Sequence, residues 1–420
     1  MRVATHLGAL LLLTVPGFAD SVEDWAKAEN AAAAASKAGR FHQAEQLLQQ
    51  NESFARTFPP KDARLPRTLL DLAHVYRAEG KYSEALARYE RAQRIYSELY
   101  GAQSSELAEA FNGEGELYKN LGDYEKAQPL LEKALAMREK LPPEEANLAQ
   151  SKNDLGEVYS ALGQYHKAET LLQDALNLRK SRAPESTEVG QSLIALGIVY
   201  EKTSRSGQAE DCYRQAASIL GKVLGGDHPD YANAIEHLAL VCEARKDVET
   251  AEPLLDRVLD IRRKAYGPEH RDVATSLEDL AGLKRAENKP REAAQLYEQS
   301  LAMLEKILGP DSPDLAPDLN NLAAIDELIP DKQQEAEQFF VRAIALDEKA
   351  LGPDSPDLAT DLNNLGLLYL LTKRYQRAAD TLGRALEIRR KAFGDSDPLV
   401  KESLGPYNTA LRALRQSAAK

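Results

Sequence analysis

The chain has 420 residues, of which 43% are hydrophobic, 28% are charged and only 6% are aromatic. Its formal net charge of −13 argues against a nucleic-acid partner and against docking on anionic lipid, because both need clustered Lys and Arg. The abundance of Ala and Leu favours packed helices, since these residues lose little side-chain entropy in a helix.

The first residues have the layout of a secretory signal peptide. Arg2 supplies a positive charge, the stretch 7–15 is apolar, and Gly17 and Ala19 place small residues before Asp20. The apolar stretch is too short for a membrane-spanning helix, which needs about 20 residues. We therefore expect cleavage after Ala19 and export to the periplasm or the medium, with an uncleaved membrane anchor as the alternative.

One small residue recurs along the chain at spacings of 41 to 43 residues. Small residues at a fixed period allow neighbouring helices to approach closely, and stacked units of this kind share one continuous core. The recurring positions are Ala44, Ala85, Ala127, Ala168, Ala209, Ala251, Ala293, Ala336 and Ala378. The pattern predicts nine units.

Each unit is predicted to contain two helices. Apolar residues at helical spacing mark the first helix, as at Leu362, Leu365 and Tyr369. The second helix is predicted to begin near Tyr82, Tyr124, Tyr165 or Tyr375, after a break at Gly80, Gly122, Gly163 or Lys373. Ser204, Lys246 and Asn288 replace the glycine in the fifth to seventh units, and the eighth unit has an extra residue around 328–331. We expect less regular packing in these four units.

The linkers between units predict helix ends. The segment 309–314 recurs as 352–357, each with the order Gly-Pro-Asp-Ser-Pro-Asp. Gly suits the end of one helix, Ser312 or Ser355 suits the N-cap of the next, and the following Pro suits its first turn. A calcium loop is the alternative for so many Asp residues, but no twelve-residue pattern closes with Glu. We therefore expect no metal and no cofactor.

These patterns give the domain organisation. A signal peptide occupies residues 1–19, an atypical first repeat 20–60, the main solenoid of repeats two to nine 61–396, and a C-terminal capping helix 397–420 with a break at Gly405-Pro406. The two cysteines, Cys212 and Cys242, are predicted to be buried free thiols, while export leaves a disulfide between them as the alternative.

The repeated motif resembles a known family. Leu365-Gly366 followed by Tyr369, then a second helix with paired small residues, is similar to the tetratricopeptide repeat. The period near 42 residues and the Gly-Pro-Asp linker resemble the repeats of kinesin light chains. The resemblance implies an all-α fold, an α-solenoid of about nine helix pairs forming a right-handed superhelix. It also implies that the first helices line a concave groove where peptides bind.

Polar residues on the first helices are the candidates for contact with a peptide. By family analogy the groove would hold Asn153, Asp154, His237, Asp279, Asn320, Asn321, Asn363 and Asn364. Asn suits an extended peptide backbone because it both donates and accepts, and Asp favours a partner with basic or amine groups. The alternative is that the Asn residues are consensus positions, solvated or bonded between neighbouring helices. Only Arg67 fits a basic clamp for a C-terminal carboxylate, so we do not expect one.

The sequence contains no phosphate-binding loop, nucleophile elbow or zinc-ligand spacing. We therefore expect no catalytic residues and a non-enzymatic scaffold that binds a protein or peptide outside the cytosol, without membrane insertion after signal cleavage. The alternative function is that of a structural component of the envelope that assembles with itself. An enzyme is the third possible function, and it would require an acid–base or metal site.

Overall fold

The computed structural model describes residues 18–142 and 144–418. The predicted signal peptide therefore lies almost entirely outside the described residues. Within those residues the fold is all helical, without a strand, as the repeat pattern predicts. No helix in this part of the chain is both long enough and apolar enough to cross a membrane. The chain divides into two compact units, Met1–Ser204 and Arg205–Lys420.

Unit 1 contains four helix pairs followed by one further first helix. Each helix packs against the next, so that first and second helices alternate through the unit. The helices are α1 Phe18–Lys37, α2 Phe41–Ala55, α3 Arg64–Ala78, α4 Tyr82–Tyr100, α5 Ser105–Asn120, α6 Tyr124–Arg138, α7 Glu145–Ala161, α8 Tyr165–Arg182 and α9 Thr187–Lys202.

Unit 2 begins with a second helix, continues with four pairs and ends with one long helix. Its helices are α10 Ser206–Leu224, α11 Pro229–Ala244, α12 Val248–Tyr266, α13 Arg271–Ala286, α14 Pro290–Leu308, α15 Ala316–Asp326, α16 Gln333–Leu351, α17 Pro356–Leu371, α18 Tyr375–Phe393 and α19 Pro398–Ala418. The helix α19, within the predicted capping segment, packs on α18.

The recurring alanines lie at the centre of the packing. All nine, from Ala44 to Ala378, have 0% of their surface exposed. Because Ala has no side chain beyond Cβ, the second helix can lie close to its neighbours at this position. Four second helices begin at the predicted tyrosines, Tyr82, Tyr124, Tyr165 and Tyr375. The prediction of stacked helix pairs is therefore confirmed.

In every pair except the eighth, the turn between the two helices has one backbone conformation whether or not it contains glycine. Gly80, Gly122 and Gly163 have φ of 73° to 74°. Ser204, Lys246, Asn288 and Lys373 take the same region, with φ of 59° to 65°. A non-glycine residue there costs about 1 kcal/mol, which the packing of the two helices must outweigh. The turn of the repeat is thus retained in the fifth to seventh units, where we expected irregularity. The eighth turn, between α15 and α16, contains no residue of positive φ and is irregular as expected.

The predicted N-cap is found at Ser355 but not at Ser312. The Asp357 backbone N–H donates to Ser355 Oγ at 3.3 Å. After Ser312 a short 3-10 turn over residues 313–315 precedes α15, and the serine side chain caps nothing. Pro317 explains the difference, because it has no N–H to bond the carbonyl four residues earlier and so delays the start of the α-helix.

The predicted break at Gly405-Pro406 is wrong. The helix α19 runs without interruption from Pro398 to Ala418, with Pro406 inside it. The carbonyl that Pro406 leaves unbonded belongs to Glu402, an exposed residue, so water can satisfy it. The cysteines match the prediction of free thiols: Cys212 and Cys242 are buried and form no disulfide.

Candidate binding face

A buried arginine connects each of several repeats to the next. Near the end of a second helix it donates to a serine that lies 13 or 14 residues later, on the following helix. We call this set an arginine junction. In the described residues the pairs are Arg138–Ser151 (2.5 Å), Arg179–Ser192 (2.7 Å), Arg262–Ser276 (3.0 Å) and Arg389–Ser403 (2.6 Å). These arginines are at most 9% exposed.

A third residue, on the preceding first helix, completes three of these junctions. Asn153 Oδ1 accepts from Arg179 at 3.0 Å and from Ser192 at 2.8 Å. Asn112 accepts in the same way from Arg138 and Ser151. At the Arg262 junction a carboxylate, Glu236, takes the place of the amide. The sequence reasoning missed these arginines, although their recurrence and the following serine are visible in the sequence.

In unit 1 the predicted residues Asn153 and Asp154 are both buried, at 3% and 2% exposure. Asn153 belongs to the arginine junction described above. Asp154 accepts from Asn112 at 2.9 Å and pairs with Lys119 at 3.4 Å. Burial alone would raise the pKa of Asp154, but Lys119 and the Asn112 amide hold it below its usual range. Both side chains therefore bond between neighbouring helices, the alternative considered from the sequence.

In unit 2 carboxyl groups on successive first helices meet each other. Burial and the negative charge of the nearby Glu236 raise the pKa of Asp279 to about 8. Burial and Glu278 likewise raise the pKa of Asp318 to about 7. The predicted residue His237 is half-buried and stacks on Tyr213, with 5.0 Å between ring centroids. The first helices of unit 2 thus carry closely spaced acidic groups.

Asp279 predicts a pH dependence of stability. Its pKa is raised in the folded state, so its contribution is complete below about pH 4 and is lost as the pH rises through about 8. Asp279→Asn cannot titrate and can donate to Glu236. We expect the variant to be more stable than the wild type at pH 8, by about 1 kcal/mol, and to lose less stability between pH 5 and pH 8. Urea unfolding at both pH values measures this.

The exposed Asp311 supplies the control for that experiment, since Asp311→Asn removes the same charge from a linker. We expect this variant to follow the pH dependence of the wild type. An equal pH dependence in Asp279→Asn and the wild type would contradict the proposed carboxyl pair.

The remaining predicted residues lie on two neighbouring first helices, α15 and α17, which contact each other. Asn320 is half-buried and donates to Asp361 at 2.5 Å. Asn321 is exposed, and Asn363 and Asn364 are half-buried. None of these last three side chains makes a hydrogen bond within the part of the chain that the structure describes. We call these three residues, Asn321, Asn363 and Asn364, the amide patch.

Two other features lie away from the predicted residues. A cavity of about 630 Å³ lies among α6, α7 and α8, lined mainly by apolar side chains that include Leu135, Leu155 and Leu171. A trio of His42, Glu45 and Glu79 has ligand atoms close enough to hold a metal. However, Lys81 Nζ lies 2.7 Å from Glu45 and 2.9 Å from Glu79, so an ammonium group already pairs with both carboxylates.

A family model described as tetratricopeptide repeat matches residues 64–140, 147–222, 230–306 and 331–391. No curated protein matches the chain. Among solved structures, a Rap protein complexed with competence and sporulation factor is 15% identical with a TM-score of 0.57, covering 88% of this chain and 98% of that chain.

Two further solved structures are similar. A signal transduction ATPase with numerous domains and a tetratricopeptide repeat sensor, from Pyrococcus horikoshii, is 14% identical with a TM-score of 0.56, covering 85% of this chain and 54% of that chain. The repeats of a putative kinesin light chain from Podosopora anserina are 26% identical with a TM-score of 0.40, covering 47% of this chain and 95% of that chain. Because the family model matches well over half of the residues, the chain belongs to the tetratricopeptide repeat family.

Proposed function

We propose that this protein is a non-enzymatic scaffold that binds a segment of another polypeptide on the first helices of unit 2. Tetratricopeptide repeat arrays are typical of protein–protein interaction and are generally non-enzymatic. The observation that carries the proposal is the amide patch: Asn321, Asn363 and Asn364 make no hydrogen bond within the described residues, although Asn can donate two and accept two. An extended peptide backbone offers the complementary groups.

The surroundings of the amide patch suggest the chemistry of the partner. Leu367 and Leu371 are 39% and 55% exposed and lie one and two helical turns beyond Asn364. The acidic pairs Glu236–Asp279 and Glu278–Asp318 lie on the same series of first helices. We therefore propose a partner segment that combines apolar side chains with Lys or Arg. Among the similar structures, the Rap protein is complexed with competence and sporulation factor.

A peptide array tests the proposal. Short peptides of basic, neutral and acidic classes, all of mixed apolar content, are probed with the labelled full-length protein at low and high salt. We expect binding in the basic class, weakened by salt. The variant Asn321→Ala/Asn363→Ala/Asn364→Ala should lose affinity by about tenfold or more, because three desolvated amides lose their bonds.

A matched variant removes three amides from the exposed surface of second helices: Gln295→Ala/Gln299→Ala/Gln338→Ala. It should bind like the wild type. Binding confined to acidic peptides, or equal binding by both triple variants, would refute the proposed site.

We also propose that the protein works outside the cytosol. The support is the charged, apolar and small-residue order of residues 1–19. Sequencing the amino terminus of the protein recovered from its native host should give Asp20 as the first residue. A mature protein that begins at Met1 would contradict export by cleavage.

A further inference from the structure

At one contact between repeats, both defining positions of the arginine junction are acidic. In unit 2 the arginine precedes its serine by 14 residues, as in Arg262 and Ser276. The corresponding positions at the end of α16 and in α17 hold Asp347 and Asp361. Another departure, Leu220 with Ala234, replaces both residues by fully buried apolar side chains and leaves no polar atom behind. The Asp347–Asp361 pair instead leaves two negative groups.

Two oxygen atoms at this contact lack donors within the described residues. Asp361 is only 5% exposed. Its Oδ1 accepts from the Asn320 amide, but its Oδ2 and the Asn320 Oδ1 have no hydrogen-bond partner within the described residues. Burial and the facing Asp347 raise the pKa of Asp361 to about 7, and a further acid, Asp357, acts in the same direction. A buried carboxylate in such surroundings requires a positive partner or a proton.

We propose that Asp347, Asp361 and Asn320 Oδ1 form a binding site for calcium or magnesium, in the place that a guanidinium occupies at the arginine junctions. An aspartate side chain is much shorter than an arginine and is negatively charged, so a cation between the two carboxylates would supply the positive charge that the guanidinium supplies elsewhere. Carboxylate and amide oxygens are the ligands that hard divalent cations prefer, whereas zinc favours His and Cys. Asp347 and Asn320 are only half-buried, which leaves the site a route to solvent.

The ligand set also predicts how tightly the ion binds. Two carboxylates and one amide are fewer ligands than a calcium buffer uses, and water would fill the other positions. A dissociation constant of about 10⁻⁴ to 10⁻³ M is therefore expected. This inference does not depend on the proposed polypeptide binding.

Calorimetric titration of the full-length protein with CaCl₂ and MgCl₂, after dialysis against EDTA, measures binding directly. We expect saturable heat at pH 8. Asp347→Asn and Asp361→Asn should each lower the affinity at least tenfold, because each removes one of two charges. Asp311→Asn, in an exposed linker, should bind like the wild type.

A second variant rebuilds the arginine junction, Asp347→Arg/Asp361→Ser. We expect it to unfold at a higher temperature than the wild type in EDTA and to show no further increase with CaCl₂, whereas CaCl₂ should raise the midpoint of the wild type. If the single Asn variants fail to fold, the unfolding temperatures of the wild type and the rebuilt variant in EDTA and in CaCl₂ are enough to test the site. Absence of binding heat in the wild type at pH 8, or unchanged affinity in both Asn variants, would overturn the site and indicate a proton shared by the two carboxyl groups.

Discussion

Arg262→Met is expected to destabilise unit 2 by about 3 to 5 kcal/mol. The Arg262 guanidinium donates to both oxygens of Glu236, at 2.5 and 2.8 Å, and is only 5% exposed. Removing it leaves a carboxylate in a poorly hydrated position, beside the further carboxyl of Asp279. Breaking a buried ion pair from one side has this large cost because the remaining charge is uncompensated. Urea unfolding monitored by circular dichroism measures this loss of stability.

Arg179→Met is the matched comparison. Arg179 is similarly buried, at 8% exposure, but its acceptors are neutral: Asn153 at 3.0 Å, Ser192 at 2.7 Å and the Gln150 amide oxygen at 2.7 Å. These groups lose hydrogen bonds without leaving a bare charge in direct contact, so a loss of about 1 to 3 kcal/mol is expected.

The double variant Arg262→Met/Glu236→Gln separates the cost of the uncompensated Glu236 charge from the cost of the lost hydrogen bonds and packing. It removes the charge that Arg262 compensates, so it should recover more than half of the loss seen in Arg262→Met. Equal losses for Arg262→Met and Arg179→Met, with no recovery in the double variant, would show that the junctions act through packing of the arginine stem and not through charge.

Helix positions could be predicted because they depend on residues that recur at a fixed period. The buried alanines and the tyrosines at the start of second helices are local signals, and the structure places them as expected. The failure at Gly405-Pro406 has a different origin. A proline breaks a helix only where the lost hydrogen bond cannot be replaced, and whether the affected carbonyl faces water depends on how α19 packs.

The state of each polar residue on the first helices could not be predicted in the same way. Asn153 and Asn363 hold equivalent positions in their repeats. Asn153 is bonded to Arg179, whereas Arg389, the arginine nearest to Asn363 in the repeat pattern, donates to Ser403 and Thr360 instead. The same residue type is therefore internal in one repeat and free in another. The difference depends on side chains far apart in sequence, which periodicity alone does not report.

Gly366→Val is expected to destabilise unit 2 by about 3 kcal/mol. A Cβ atom at Gly366 would lie 2.5 Å from Leu382 Cγ and 2.7 Å from its Cδ2. Leu382 is fully buried, so its branch point cannot move without displacing its neighbours. The equivalent residue in repeats two to nine is always Gly or Ala: Ala73, Gly115, Gly156, Gly197, Ala239, Ala281, Ala323 and Gly366. Overpacking of a filled core has this order of cost.

Two further substitutions make the prediction specific. Gly366→Ala should lose only about 1 kcal/mol, because three repeats of unit 2 accommodate Ala at this position and Ala favours the helix. Gly207 lies in α10, and a Cβ there would meet no atom of another element within 4 Å, so Gly207→Val should change stability by less than about 0.5 kcal/mol. If Gly366→Val unfolds at the same urea concentration as Gly207→Val, then the first and second helices can separate freely. Close approach at this residue would then not limit how the repeat packs.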